Sequence, residues 1–218
     1  MQEQPCFAAD DAPGVSMEIE AKYKISAADL DRLAALSALG PYTLRTLAGE
    51  RQRNIYYDSA DGRLALARYG LRVRQIGNRS TITLKGPARV DENGIHHRAE
   101  FEFPGSNPDP ATWPVGPARD LAQALLLGAP LRPLLTIETS RRIIHAVRDG
   151  QDRVELCLDR GTIYANNRQA PLCELELEVL PAGSVYDLTE LANALRAIFK
   201  ITPERQSKLE RGMALLKR

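Results

Sequence analysis

The sequence predicts a single α+β domain built on a closed or nearly closed antiparallel β-barrel with flanking helices. Eight or more segments alternate apolar and polar residues with a period of two, which is typical of strands with one buried face. Only a few segments show the spacing of amphipathic helices. A chain of 218 residues can also bury a sizeable core.

The predicted strands are spread along the whole chain. Segment 16–25 shows the alternation most clearly, since Glu18 and Glu20 alternate with Met17 and Ile19. The other predicted strands are 51–58, 70–76, 80–85, 95–103, 136–147, 152–159, 161–165 and 172–180. A hairpin around Gly77-Asn78 would join the third and fourth strands.

Four helices and one long loop are predicted between and after these strands. The first helix follows the N-cap Ser26, runs to Leu39 and ends at Gly40-Pro41. The others cover about 119–127, 187–200 and 203–216. Residues 104–118 contain five prolines and two glycines and are predicted to be loop. Residues 1–16 are expected to form a flexible tail, and residues 17–218 the domain.

Composition excludes several classes of protein. The 29 Lys and Arg balance 28 Asp and Glu, so the net charge of +1 favours neither a nucleic-acid nor a membrane partner. The longest apolar run, 121–127, is too short to span a bilayer. The N-terminus lacks the basic start and apolar stretch of a signal peptide. Three widely spaced cysteines fit no zinc or disulfide pattern, which favours a reducing, cytoplasmic location.

Full charges occupy the polar face of most predicted strands. Glu174, Glu176 and Glu178 share one face of one strand, where side chains two residues apart are roughly 6.6 Å from each other. Each neighbouring pair would repel by about 1 kcal/mol. For any single strand, a solvated outer face is the simpler interpretation. Several such rows in one chain favour a shared interior site.

The charges on these faces suit a metal–polyphosphate complex. A divalent cation would relieve repulsion among the carboxylates, and hard cations such as Mg²⁺ prefer oxygen ligands. An anion with several charges would in turn bind Arg72, Arg74, Lys85 and Arg141, because arginine binds phosphate in a bidentate manner and lysine acts as a compact point charge. An eight-stranded barrel is wide enough to hold one small ligand.

The order of the charged motifs resembles the CYTH superfamily, also called the triphosphate tunnel metalloenzymes. The opening E-x-E-x-K comprises Glu18, Glu20 and Lys22. It is followed in family order by Q-x-N-x-Y-Y-D (52–58), L-R-V-R (71–74), T-L-K (83–85), R-x-E-x-E (98–102), T-S-R (139–141), V-E-L-C-L-D-R-G (154–161), E-L-E-L-E (174–178) and S-K-L-E-R-G (207–212). The resemblance covers about residues 17–218. Within the superfamily, the sequence most resembles bacterial inorganic triphosphatases and the tunnel domain of CYTH–CHAD proteins.

The resemblance implies a closed barrel of eight antiparallel strands with charged residues inside, and it implies a role for each motif. The residues that would hold one or two Mg²⁺ or Mn²⁺ ions are Glu18, Glu20, Glu174 and Glu176, supported by Glu100 and Asp159. Those that would bind the triphosphate are Lys22, Arg72, Arg74, Lys85, Arg141 and Lys208. Lys85 and Tyr56 would act near the scissile phosphate. Two points stay open: either Arg141 or Arg142 faces the tunnel, with Arg141 favoured, and Glu178 lies third in its row, toward the rim.

The resulting expectation is metal-dependent hydrolysis of inorganic triphosphate to pyrophosphate and phosphate by a monomer or homodimer. The alternatives are a class IV adenylate cyclase and a polyphosphate-binding module without catalysis. Outside the motifs, His96 and His97 should point to opposite faces of a strand, and His145 stands alone. Surface or packing roles are favoured for all three histidines, for Cys157 and for Trp113.

Overall fold

The computed structural model describes residues 15–217, so residues 1–14 of the predicted tail lie outside the described residues. The strands are β1 Val15–Lys24, β2 Ala38–Leu39, β3 Tyr42–Thr46, β4 Glu50–Ser59, β5 Gly70–Ile76, β6 Arg79–Lys85, β7 Arg89–Val90, β8 His96–Pro104, β9 Leu131–Arg148, β10 Gln151–Ala165, β11 Arg168–Val179 and β12 Thr202–Pro203. The helices are α1 Ala27–Ala34, α2 Arg63–Leu66, α3 Pro117–Leu126, α4 Val185–Ile198 and α5 Lys208–Leu216, with a 3₁₀ turn at Pro110–Thr112.

Eight strands close into an antiparallel barrel, which confirms the predicted fold class. Around the ring the order is β1, β11, β10, β9, β4, β5, β6, β8 and β1 again, and every neighbouring pair is antiparallel. The short strands β2, β3, β7 and β12 pair at the margins of this ring. A closed ring leaves no unpaired edge among its eight strands.

The barrel has two ends that differ in their cover. We call the end where β1 stops at Lys24 and β8 begins at His96 the near mouth, and the end where β1 begins at Val15 and β8 stops at Pro104 the far mouth. β12 pairs with Tyr23 and Lys24 at the near mouth. Helix α5 follows directly after β12, so its first residues lie beside the near mouth.

Apolar side chains lie mainly on the outside of the barrel, beneath helices. Leu191 and Leu195 of α4, with Leu33 of α1, cover the outer faces of β1, β9, β10 and β11. Ala118 and Ala122 of α3 cover the outer faces of β5, β6 and β8. Because these apolar contacts are made on the outside of the barrel, polar side chains can occupy the lumen.

One apolar cluster lies inside, where α5 covers part of the near mouth. Leu209 and Met213 of α5 pack with Leu135, Ile163 and other residues that face inward from β9, β10 and β11. Gly212 makes this close approach possible, since a Cβ atom there would lie 2.5 Å from Leu135 Cδ2. The helix therefore closes one side of the barrel end and brings its first turn to the lumen.

The structure corrects several predicted boundaries. The first helix ends at Ala34 rather than Leu39, because Gly40-Pro41 forms the turn of a small β2–β3 hairpin in which Gly40 adopts a φ of +57°. The last helix begins at Lys208 rather than Pro203, because Ser207 and Glu210 form a capping box. Strand β1 begins at Val15, inside the predicted tail.

Helix α2 and strands β2, β3, β7 and β12 were not predicted, since each has at most five residues and offers too little periodicity to detect. Within residues 15–217, no helix has the length and apolar character needed to cross a membrane.

Gly161 does not separate two strands, as predicted, but lies inside the continuous strand β10. A Cβ atom at this position would be 1.9 Å from the backbone oxygen of Glu138 on β9. The glycine therefore marks a close approach of two backbones rather than a break.

Replacing Gly161 with alanine should destabilise the barrel by about 2 kcal/mol or more, because the colliding atom belongs to a paired strand that cannot move freely. Chemical denaturation of the purified variant would measure this change. Gly86→Ala is a matched control, since its Cβ atom would meet Tyr69 at 3.4 Å, an ordinary contact. Equal losses of stability in the two variants would contradict the close-approach explanation.

Candidate functional site

A cavity of about 600 Å³ runs through the lumen, and all eight barrel strands contribute to its wall. The charged residues that line it are Glu18, Glu20, Lys22, Asp58, Arg68, Arg72, Arg74, Lys85, Arg98, Glu100, Glu102, Arg141, Glu155, Asp159, Glu176, Glu178, Arg205 and, from α5, Lys208 and Glu210. Alternation along each strand places the strand residues among them inside, because their sequence neighbours contribute to the outer apolar clusters. The cavity wall thus carries both signs of charge.

One group of carboxylates surrounds the ammonium of Lys208. Oxygen atoms of Asp159, Glu174 and Glu176 lie within 4.8 Å of one another. Lys208 Nζ lies 3.0 Å from Asp159 and 2.5 Å from each of the two glutamates. Arg141 binds Asp159 in a bidentate manner at 2.7 and 2.8 Å and also donates to Glu176 at 2.6 Å. Arg211 also donates to Glu174, so three cations neutralise the three acids.

A second group is built around Glu18 and Glu20 of β1. Arg98, which lies opposite Glu18 on β8, donates to Glu18 at 2.5 Å and to Glu20 at 2.8 Å. Lys85 donates to Glu18 at 2.7 Å and lies 3.2 Å from Glu100. Lys22 lies 3.4 Å from Glu20. This network joins the three strands β1, β6 and β8 across one wall of the cavity.

The wall formed by β5 has the opposite character, because its arginines lack close carboxylates. Arg74 Nε donates to the amide oxygen of Asn54 at 3.0 Å. Arg72 donates to Thr83 Oγ1 at 3.0 Å and reaches Glu102 only at 3.7 Å. The Nε atom of Arg72 is buried and has no hydrogen-bond partner among residues 15–217. This wall is therefore an electropositive, incompletely satisfied surface.

The ion pairs decide the protonation of the buried acids. Burial alone would raise the pKa of Glu18, but Lys85 and Arg98 outweigh it and lower the pKa to about 2. Burial likewise opposes the charged form of Glu176, yet Lys208 and Arg141 hold its pKa well below the usual range. These carboxylates are therefore ionised at neutral pH.

For three other side chains, nearby opposite charges do not offset the effect of burial, and the pKa shifts toward the neutral form. Burial, together with the nearby Glu18, raises the pKa of Glu178 to about 8. Burial raises the pKa of Glu174 to about 7, although Lys208 and Arg211 oppose the change. Burial, Arg72 and Arg141 lower the pKa of Arg74 to about 10. An additional cation would favour ionised Glu178, and an anion would favour charged Arg74.

Comparison with known proteins identifies the family of this barrel. The family model for the CYTH domain matches residues 16–213. The chain belongs to the CYTH domain family. This finding confirms the resemblance that the ordered motifs indicated.

A curated relative of this CYTH domain is an inorganic triphosphatase from Haemophilus influenzae, which is 31% identical over 163 residues. The match covers 74% of this chain and 45% of the relative, so the chain spans about half the length of the curated protein it matches.

Two solved structures share the CYTH barrel. One is a candidate adenylyl cyclase from Hippeastrum with a dominant triphosphatase activity, at 19% identity and a TM-score of 0.61, covering 90% of this chain and 95% of that one. The other is a candidate adenylate cyclase from Bacillus halodurans, at 24% identity and a TM-score of 0.61, covering 91% and 98%. At these identities the similarity supports the fold alone.

The structure brings the predicted CYTH site residues to one cavity, with one exception. Glu174 is fully buried behind Lys208 and Arg211 and is not part of the cavity wall. Arg141 faces the cavity, whereas Arg142 is exposed on the outer side and lies 3.4 Å from Asp31. Glu178 also lines the cavity rather than lying beyond it. Tyr56 reaches the wall beside Arg72, its partner across β4 and β5.

Some residues of the CYTH site were not among the predicted ones. The R-x-E-x-E motif assigns no role to Arg98, although Arg98 lies two residues before Glu100 and therefore faces inward with it. Arg211 was missed, and its position three residues after Lys208 on the same face of α5 is the signal that could have found it.

The residues with predicted structural roles have clear contacts. Cys157 is buried and donates to Glu155 at 3.1 Å, and burial raises its pKa well above the usual range. Its thiol is therefore protonated and unreactive at neutral pH. Trp113 packs edge-on against Phe103, outside the barrel, with ring centroids 5.2 Å apart.

Glu178→Gln should flatten the pH dependence of stability in the metal-free protein. A carboxyl whose folded-state pKa is raised to about 8 contributes stability below its unfolded pKa of 4.5, and that contribution is lost as the pH rises through 8. Glutamine stays neutral, so the variant should lose about 4 kcal/mol less than the parent between pH 5 and 8.5.

Denaturant midpoints measured across this pH range with a chelator present would check the prediction. Glu138→Gln is the control, because Glu138 is exposed on the outer surface and lies 3.6 Å from Arg53. If the denaturant midpoints of the parent and of Glu178→Gln changed with pH in parallel, the raised pKa assigned to Glu178 would be contradicted.

Proposed function

We propose that this CYTH domain hydrolyses inorganic triphosphate to pyrophosphate and phosphate, with Mg²⁺ or Mn²⁺ as cofactor. The observation that supports this most directly is the wall of β5, where Arg72 is buried and Arg74 half-buried, and neither has a hydrogen bond to any carboxylate within residues 15–217. Buried guanidinium groups favour an anionic partner. The carboxylates on the other walls make the site unsuited to simple anion storage.

The size and charge of inorganic triphosphate suit this cavity. The volume of about 600 Å³ is within the range of small-molecule sites. Cations from the five strands β1, β5, β6, β8 and β9 and from α5 surround the lumen, so several phosphates can be contacted at once. The residues proposed to bind them are Lys22, Arg72, Arg74, Lys85, Arg141 and Lys208.

The carboxylates present fit a hard divalent cation. Asp159, Glu174 and Glu176 already bring oxygen atoms within 4.8 Å of one another, and the set contains no soft ligand. The residues proposed to hold the metal are Glu18, Glu20, Glu100, Asp159, Glu174 and Glu176. When bound, the metal would supply electrostatic stabilisation of phosphate oxygens and of the attacking water.

The chain's own residues would bind, orient and neutralise the phosphates. Phosphoryl transfer passes through a loose transition state in which charge spreads over the phosphate oxygens. Arg72 and Arg74 on one wall and Lys85 on the next can neutralise that charge from fixed positions. Tyr56, next to Arg72 across the strand pair, would hydrogen-bond the phosphate that leaves or remains. A carboxylate of the opposite wall would accept the proton of the water.

The choice of inorganic triphosphate rests on the curated relative, which is an inorganic triphosphatase. A panel of inorganic triphosphate, ATP and long-chain polyphosphate, each with Mg²⁺ and with Mn²⁺, would test it. We expect phosphate release that is fastest with inorganic triphosphate and absent with chelator. Cyclic AMP from ATP would favour a cyclase instead, and binding of polyphosphate without turnover would favour a non-catalytic module.

Arg74→Gln should lower kcat/KM for inorganic triphosphate by about 100-fold or more, because it removes a preorganised cation from the phosphate wall. Arg74 makes no ion pair with a carboxylate of residues 15–217, so this variant leaves no described buried acid without its partner and should fold. Phosphate release by the purified variant would measure the effect.

Arg142→Gln is the matched control, since Arg142 has the same chemistry but an exposed position outside the barrel. It should retain parental activity. Comparable activity in both variants would remove the β5 wall from the proposed site.

A further inference from the structure

His96 is a buried histidine on the cavity wall that the proposed reaction does not use. It is the first residue of β8, its side chain is 3% exposed, and it lines the cavity at the near mouth. Its Nε2 atom is buried and has no hydrogen-bond partner among the residues that the structure describes. A buried polar atom of this kind costs free energy unless something binds it.

The other two histidines differ from His96 in this respect. His145 places one ring nitrogen 2.9 Å from Asp152 and the other 3.1 Å from Glu155. His97, which points to the opposite face of β8, lies 3.7 Å from Asp91. Both therefore have carboxylate partners within this chain, whereas His96 has none within residues 15–217.

The surroundings of His96 favour an anionic ligand over a cationic one. Glu20 lies opposite His96 in the β1–β8 register, but its carboxylate is already bound by Arg98 and lies near Lys22. Lys22 and Arg98 lie on the same inward faces, two residues from Glu20 and His96 respectively. A second cation would be repelled by this pair, whereas a phosphate oxygen would be attracted.

His96 also offers its hydrogen bond at low cost. Burial and the nearby Lys22 lower the pKa of His96, so its ring is neutral at pH 7 and carries one N–H donor. Lys22, Lys85, Arg98 and Lys208 would have to weaken an existing ion pair to bind a phosphate. His96 has no such pair to break.

From this geometry we infer that His96 is a substrate-binding residue that donates a hydrogen bond to a phosphate oxygen of the triphosphate at the near mouth. The inference rests on the proposed function, because that function supplies the ligand. It adds a neutral donor on β8 to the cationic wall of β5, so the phosphate chain would be held by two strands that flank β6.

The test compares His96→Leu, His96→Gln and His97→Leu with the parent. The dissociation constant for inorganic triphosphate would be measured by titration calorimetry with chelator present, so that no turnover occurs. His96→Leu should bind about 10-fold more weakly or worse, because a hydrogen bond to a charged group is lost. His96→Gln, which keeps a donor, should recover most of the affinity. His97→Leu, altered at the neighbouring outward position, should bind like the parent.

Thermal unfolding separates this role from a structural one. Leucine removes a buried polar group without a partner, so His96→Leu should remain folded and should not melt earlier than the parent. If turnover occurs, the same variant should raise KM more than it lowers kcat. Parental affinity in a folded His96→Leu protein would overturn the inference, and so would a parent that binds no triphosphate.

The outcomes also separate this inference from the proposed function. Hydrolysis by the parent with no effect of His96→Leu on KM or on the dissociation constant would overturn only the role of His96. Triphosphate binding that depends on His96, but without hydrolysis under any metal, would support the role of His96 and overturn the proposed hydrolase activity.

Discussion

The mutual neutralisation of buried charges inside the barrel is the constraint on which the rest of the structure depends. Carboxylates such as Glu18, Asp159 and Glu176 are almost removed from water, and burial alone would drive them toward the neutral form. Lys85, Arg141 and Lys208 reverse that tendency by direct contact. Removing one member of such a pair leaves the other buried and unpaired, which costs several kcal/mol. The interior charges therefore behave as a set, and the fold tolerates them only together.

A polar interior requires that the apolar contacts be made elsewhere. Helices α1, α3 and α4 lie on the outer faces of the strands and form the two larger cores there. Helix α5 instead covers part of the near mouth and carries Lys208 and Arg211 to the carboxylates. The same helix thus closes the barrel and supplies cations to its interior, and the capping box at Ser207 and Glu210 fixes where that helix starts. Stability and the chemistry of the lumen are linked through this one segment.

The alternation of inward-facing and outward-facing residues along each strand explains why much of the site could be predicted. A period of two assigns Glu18, Arg72 and Glu176 to one face of their strands, and the ordered motifs indicated that these faces meet. This alternation does not show where a side chain lies along the barrel axis. That position depends on the register between strands and on α5. For this reason Glu174 was placed in the cavity, although the structure buries it behind Lys208. Very short elements such as β2 and β12 were missed because tertiary pairing, not local periodicity, creates them.

The lumen contains two kinds of cationic or donor group, and the difference bears on how an anion would be bound. At Lys85, Arg98, Arg141 and Lys208, a phosphate oxygen must compete with a carboxylate that is already in contact. At Arg72, Arg74 and His96, no carboxylate of the described residues accepts a hydrogen bond, although Glu102 lies 3.7 Å from Arg72. An interaction that replaces no existing ion pair retains more of its favourable energy. The less satisfied groups on β5 and β8 should therefore determine where the phosphate chain first binds, and the paired groups should engage only when their carboxylates acquire another cation.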